Sequence, residues 1–327
     1  MSNKNNIEFN GRVAIVTGAG SGMGREHALM LASRGAKIVV NDISLKSAEL
    51  TVAMISKSDG VAVVDNNNIV TNAPDLVKTA IDSFGRLDIV INNAGNMAFG
   101  RFWEMESDDW WHVFDTHFKG TVEVTRHAMP YLIKSGSGRV INISSSAMLG
   151  SPNSSPYSAA KAAIWGFGNS IAAEAEEYGV QVTTLQPSAW TPMTEHAFDN
   201  PAVHKVLREK LPAAAVSAFV TWLAHQDTAV YGECFQVSGV SAGRTSFGVM
   251  PRVRVNKATP EEWVKNTESL MKTHELTPLR NVSESLRAEL IFLDPSMEDE
   301  IPLNASDVSD VSSDRYAQYI KTIAPDP

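Results

Sequence analysis

Short apolar runs recur along the chain at Val13–Thr17, Lys37–Asp42, Val61–Asp65, Ile89–Asn92, Arg139–Ser144, Val180–Gln186 and Phe235–Ser238. They are β-branched and nearly continuous rather than alternating, the pattern of strands buried on both faces. Between them lie stretches with helical periodicity: Gly22–Arg34, Leu45–Lys57, Pro74–Phe84, Asp108–Lys134, Tyr157–Tyr178 and Leu211–His225. Strand and helix alternate about six times, which predicts an α/β fold with a doubly wound parallel sheet. After about Gly243 the pattern changes. Thr259-Pro260-Glu261-Glu262 reads as a helix start, with Thr as N-cap and Pro at the first helical position, and Trp263, Leu270 and Met271 give that helix an apolar face. A second short helix is expected from Ser283 to about Leu293. Asn304–Asp314 is acidic and of low complexity, and Tyr316, Tyr319, Ile320 and Ile323 follow at helical spacing. The expected division is an α/β domain over residues 1–243, a helical extension over 244–303, and a linker with a short terminal helix over 304–327.

Composition narrows the classes. With 327 residues and 43% hydrophobic content the chain can bury a full core. A net charge of -9 without a basic cluster disfavours nucleic acid and anionic membranes as partners. One cysteine, Cys234, excludes an intramolecular disulfide and a multi-cysteine zinc site, and the histidines show no ligand spacing, so no metal is expected. With no signal pattern and no apolar run of membrane-spanning length, the expectation is a soluble cytoplasmic protein.

The loop Thr17–Gly24, TGAGSGMG, joins the first strand to the first helix. A phosphate needs backbone amides at close range, and side chains obstruct that approach. Gly18, Ser21, Gly22, Met23 and Gly24 therefore suit the pyrophosphate of a dinucleotide, held at the helix N-terminus. Asp42 closes the second strand. A carboxylate there accepts both adenosine ribose hydroxyls and repels a 2′-phosphate, which selects NAD over NADP. Further on, YSAAK places Tyr157 and Lys161 at i, i+4 on one helix face. A cation beside a phenol favours the phenolate, so Lys161 is expected to lower the Tyr157 pKa and fit it for proton transfer with an alcohol.

TGAGSGMG, NNAG (Asn92–Gly95), INISS (Ile141–Ser145) and YSAAK, in that order, resemble the classical short-chain dehydrogenase/reductase family from about Gly11 to Val240. The resemblance implies a Rossmann-type fold with a seven-stranded parallel sheet, assembled as a homodimer or homotetramer. It implies Tyr157 as general acid/base, Lys161 as its partner and holder of the nicotinamide ribose, and a serine that positions the substrate oxygen. Counting from the strand selects Ser145, while Ser144 restores the family's commoner spacing to Tyr157. Asn93, Ala94 and Gly95 are implied to face the cofactor, Asn68 and Ile69 the adenine with Asp65 as rival, and Pro187 and Thr191 the nicotinamide. At the place of the family's relay asparagine stands His117, which can bridge water to Lys161.

Within the family, VVND, THFKG, PSAWTPMTE, FVTWLAHQ and TPEEWVKN look like the (3R)-hydroxyacyl-CoA dehydrogenase module of multifunctional β-oxidation enzymes. Trp103, Trp111, Trp190 and Phe198 lie in segments that line the family's substrate side, and residues 188–209 are expected to form a lid. The expected activity is NAD-dependent interconversion of a bulky apolar secondary alcohol and its ketone, on a (3R)-hydroxyacyl-CoA or on a free steroid- or terpene-like alcohol. A non-catalytic dinucleotide sensor is the alternative from another class, disfavoured by the intact Ser, Tyr and Lys.

Overall fold

A computed structural model describes residues 7–192, 201–257, 259–279, 282–296 and 298. The chain divides into two compact units, Met1–Thr245 and Ser246–Pro327. In the first, eight strands form one sheet: β1 (Val13–Thr17), β2 (Lys37–Asn41), β3 (Val61–Asp65), β4 (Ile89–Asn92), β5 (Arg139–Ile143), β6 (Gln181–Ser188), β7 (Cys234–Ser238) and β8 (Ser241–Thr245). Their order is β3-β2-β1-β4-β5-β6-β7-β8. The first seven are parallel, as the alternating pattern predicts, and β8 returns antiparallel along β7 through a Gly239-Val240 turn with Gly239 at φ +55°. The positive φ is what lets two residues reverse the chain.

The strands read as continuous apolar runs because both faces are covered. Ala14 and Val16 of β1 pack with α1 (Gly22–Ala32), α2 (Leu45–Lys57) and α8 (Ala213–Ala224), through Ala28, Leu31, Ala48, Ile55, Val216 and Val220. Val13 and Ile15 face the other way, toward Leu76, Val124, Leu132 and Ala172 of α3 (Ala73–Phe84), α5 (Gly120–Ser135) and α6 (Ser155–Ala175). The switch of strand order at β1 opens a crevice at the strands' C-terminal ends, where ligands of such sheets bind.

Three boundaries differ from the sequence reading. The long helix expected over Asp108–Lys134 is α4 (Ser107–Phe114), a π turn (Asp115–Lys119) and α5. Strand β6 runs on through Pro187 rather than ending before it. Its pairing with β5 stops at Leu185 opposite Ile143, so a proline beyond that point removes no ladder bond on that side. In the second unit Thr259 caps α9 (Pro260–Lys265) as expected, but α10 (Thr267–Met271) is separate, and Trp263, Leu270 and Met271 remain largely exposed. That unit also holds β9 (Phe247–Val249) paired antiparallel with β10 (Thr277–Leu279), and α11 (Val282–Leu293). The expected linker and terminal helix of residues 304–327 lie outside the described residues. No described helix is long and apolar enough to cross a membrane.

One buried group carries a stability prediction. His27 of α1 is fully buried, with Nδ1 2.7 Å from the Ser217 hydroxyl of α8, and burial pushes its pKa down to about 3. The unfolded chain takes up the proton near 6.5, so stability present above that pH is lost as pH falls toward 3. At pH 5 the loss is about 2 kcal/mol. Denaturant titrations of wild type and His27→Asn at pH 7 and 5 check it: the variant is expected to lose correspondingly less on acidification.

Candidate active site

The glycine loop is built by close approach. Gly18 has φ +63°, and a Cβ there would stand 2.8 Å from Ala94 Cα. A Cβ on Gly24 would stand 2.2 Å from the Gly18 carbonyl oxygen. The loop is thus pressed against NNAG, where the Asn93 amide donates to the Thr17 carbonyl at 2.9 Å, and the Asn93 and Ala94 N–H groups donate to Thr17 Oγ1 at 3.0 Å. Ser21 is the exposed N-cap of α1, Gly22 opens the helix, and Met23 packs on the core. Asp42 directly follows β2. Its Oδ2 accepts from Gly20 N and its Oδ1 from Ser44 N, each at 2.9 Å, which ties the carboxylate to the loop. Arg25 donates to the Gly20 carbonyl and to Thr51 Oγ1.

Asp65 is occupied within the fold. It accepts from the Asn41 amide, from the Asn67 N–H and amide, and from the Thr79 hydroxyl. Asn68 is exposed and bonds its own turn through Val70 N, while Ile69 is buried against Gly120. Pro187 lies in β6. Thr191 is nearly buried, its Cβ 3.6 Å from where a Gly22 Cβ would stand, so the segment after β6 sits directly over the glycine loop. Trp190 meets His204 edge-on and has the Arg208 guanidinium over its ring, both from α7 (Pro201–Lys210). Of the expected lid, residues 193–200 with Phe198 lie outside the described residues.

Ser145, Tyr157 and Lys161 come together at the end of β5 and the start of α6. The Ser145 side chain lies near enough to the Tyr157 hydroxyl to favour its ionised form. Ser144 points elsewhere: its hydroxyl donates to the Lys161 carbonyl at 2.7 Å. Lys161 Nζ donates to the Ile143 carbonyl at 2.5 Å and lies 5.4 Å from the centre of the Tyr157 ring. Against the lowering expected for it, the Tyr157 pKa is raised. Burial pushes the phenol up, and Ser145 pulls it partly back. Burial also pulls Lys161 down to about 7. Both groups are drawn toward neutrality because their side chains share one low-dielectric wall, which penalises either charge alone.

His117 stands edge-on to Tyr157, ring centres 5.0 Å apart. The π turn places it, and such turns recur at functional sites. Its ring fills the space a Gly95 Cβ would take, 2.1 Å from Cε1, so Gly95 seats His117 in addition to bordering the loop. Nε2 lies 2.7 Å from the Asn96 carbonyl and 3.2 Å from the Asn96 N–H. The shorter contact assigns the proton to Nε2 and leaves Nδ1 an acceptor. Nδ1 is buried without a protein partner among the described residues. Burial first, then the charge of Lys161, holds the imidazole well below its usual pKa, so it is neutral. Asn96 and the Ile143 carbonyl were not singled out from the sequence. Only Asn96's position next to NNAG hinted at it.

The short chain dehydrogenase family model matches residues 12–202. The chain belongs to the short chain dehydrogenase family. Among its family relatives is the peroxisomal multifunctional enzyme type 2 of Mus musculus, 34% identical over 293 residues, 85% of this chain and 39% of that protein. The peroxisomal hydratase-dehydrogenase-epimerase of Saccharomyces cerevisiae is 37% identical over 281 residues, 80% of this chain and 31% of the relative. The chain therefore spans about a third of the length of these relatives. Among solved short chain dehydrogenases, 7α-hydroxysteroid dehydrogenase complexed with NADH and 7-oxo glycochenodeoxycholic acid superposes with TM-score 0.68 at 26% identity, covering 73% of this chain and 98% of that one.

Proposed function

We propose that this short chain dehydrogenase is NAD-dependent and interconverts a bulky apolar secondary alcohol and its ketone, the alcohol being a (3R)-hydroxyacyl-CoA. The observation that carries the reading is Tyr157 flanked by Ser145, which pulls its pKa down, by Lys161 at 5.4 Å from its ring centre and by His117 edge-on at 5.0 Å. Tyr157, once ionised to the phenolate, accepts the hydroxyl proton at Oη as the carbinol carbon gives up hydride, and Ser145 Oγ holds the same oxygen as it becomes a carbonyl. NAD⁺, when bound, supplies the hydride acceptor and its positive ring. Lys161, charged on the acid side of about 7, steadies the Tyr157 phenolate before it takes that proton. His117 Nδ1 accepts the hydrogen bond of a water that carries the proton on from Lys161.

The residues present fit the dinucleotide. Gly18 and Gly22 adopt positive φ in the loop, and Asp42 is held by the Gly20 and Ser44 amides with lone pairs left for ribose hydroxyls. Arg25 donates to the Gly20 carbonyl and to Thr51 Oγ1. Asp42→Ala is expected to raise the KM for NAD⁺ roughly ten- to hundredfold, through loss of charge-assisted ribose bonds, and to narrow the preference over NADP⁺. Initial rates with both cofactors measure it. An unchanged NAD⁺/NADP⁺ ratio would remove Asp42 from cofactor choice.

The thioester reading draws on the similarity to the multifunctional peroxisomal enzymes, the free-alcohol reading on the bile-acid dehydrogenase with its 7-oxo ligand. NADH formation with a (3R)-hydroxyacyl-CoA and with a free hydroxysteroid separates them. Turnover of the hydroxysteroid alone would overturn the thioester assignment, and turnover of neither would overturn both. A homo-oligomer is part of the proposal, checked by native mass.

A further inference from the structure

Gln186 lies in β6, next to Leu185, whose carbonyl accepts from Ser144 N at 2.7 Å. The residue is buried, only 3% exposed. Its Nε2 donates to Met148 Sδ at 3.1 Å and to Cys234 Sγ at 3.3 Å. Sulfur is a weak acceptor in either residue. A carboxamide taken out of water for such partners recovers little of what its burial costs. A leucine of similar size would suit the place better on stability alone, so stability does not account for the polar group.

Met148 is where this amide meets the candidate active site. It belongs to the short turn Ser146–Leu149 that follows Ser145, and its N–H donates to the Ser145 carbonyl at 3.0 Å. The Ser145 hydroxyl accepts from Ala147 N of the same turn at 3.1 Å. Met148 Sδ also lies 3.9 Å from the Ser144 hydroxyl, which donates to the Lys161 carbonyl at 2.7 Å. A thioether side chain is unbranched and adaptable, and holds no direction by itself. With Gln186 bonded to its sulfur, the turn that carries Ser145 is fastened to β6, a strand paired on one side by β5 and on the other by β7.

Resting on the role of Ser145 proposed above, we propose that Gln186 is a positioning residue: through the Met148 sulfur it fixes the turn that aims Ser145 Oγ at the reacting oxygen. It acts through Met148 and Ser145 rather than on the reacting atoms, and it serves that aim instead of stability.

Gln186→Leu keeps the volume and removes the donor. The variant is expected to melt no lower than wild type, while kcat for (3R)-hydroxybutanoyl-CoA, or for the hydroxysteroid if that is the substrate turned over, falls about tenfold and the KM for NAD⁺ stays within about twofold, the effect of a slightly misaimed group. Met148→Leu, a volume-conserving swap, is expected to lose kcat to a similar extent. The double variant should lose no more than either single one, because both break the same link. A second readout needs no substrate. Ser145 favours the ionised form of Tyr157, whose ring Lys161 and His117 also face. A misaimed Ser145 should therefore move the Tyr157 titration up by about half a pH unit, followed as the phenolate absorbance of each protein minus that of its Tyr157→Phe form. An unchanged kcat or an unchanged titration in Gln186→Leu would overturn the proposal. So would single-variant losses that multiply in the double variant, or a kcat loss that only tracks a lower melting temperature. A Gln186→Leu chain that does not fold would overturn it too, by making the amide a stability element. If wild type turns over neither thioester nor hydroxysteroid, the function proposed above fails, and the titration still decides the role of Gln186.

Discussion

Replacing Tyr157 by Phe is expected to lower kcat by about 10³-fold while leaving cofactor binding nearly unchanged, the size of effect that loss of a positioned proton acceptor produces. The substitution keeps the ring that His117 and Lys161 pack against and removes only the hydroxyl that faces Ser145. Stability should change by about 1 kcal/mol, the net value of one hydrogen bond. Stopped-flow single turnovers, with NADH binding measured separately by fluorescence, distinguish loss of chemistry from loss of binding. Near-wild-type turnover would mean that another group takes the proton.

The second large effect is expected at Gly24→Ala. One added methyl would lie 2.2 Å from the Gly18 carbonyl oxygen and 2.5 Å from Asn93 Nδ2. Neither can yield alone, because Gly18 is pressed on Ala94 and the Asn93 amide bonds the Thr17 carbonyl. The loop must therefore open away from NNAG, at a cost of about 1–3 kcal/mol in stability. Misplacing the amides that face the pyrophosphate should weaken NAD⁺ binding by about two orders of magnitude, a few kcal/mol of oriented hydrogen bonds. Thermal melts with and without NAD⁺ measure both: the variant should melt lower and show little stabilisation by the cofactor.

The parallel sheet was legible because Val13 and Ile15 serve one face and Ala14 and Val16 the other, so β1 has no polar side to obscure its run. The eighth strand was not: Ser241–Thr245 is largely exposed and holds its place through the β7 ladder and the Gly239 turn, neither of which leaves an apolar pattern. The π turn at Asp115–Lys119 was hidden because one extra residue in a turn barely disturbs helical periodicity. Within the site, residue types were readable and electrostatics were not. Motif order brought Tyr157, Lys161 and Ser145 together on paper, but the direction of the Tyr157 shift depends on burial, which one-dimensional spacing does not carry. The same limit applies to Trp103. A tryptophan in sequence suggests a pocket wall or core, whereas here it stands in the open beside Phe102.

In the proposed reaction Ser145, Tyr157 and Lys161 move a proton while NAD⁺ takes a hydride from an acyl-linked secondary alcohol. Its most direct test is NADH formation from (3R)-hydroxybutanoyl-CoA and its (3S) epimer, each with wild type and with Tyr157→Phe. The account predicts NADH from the (3R) compound with wild type, little from the (3S) compound, and a loss of about 10³-fold with the variant. NADH formed equally by wild type and variant, or from the (3S) epimer alone, would contradict it.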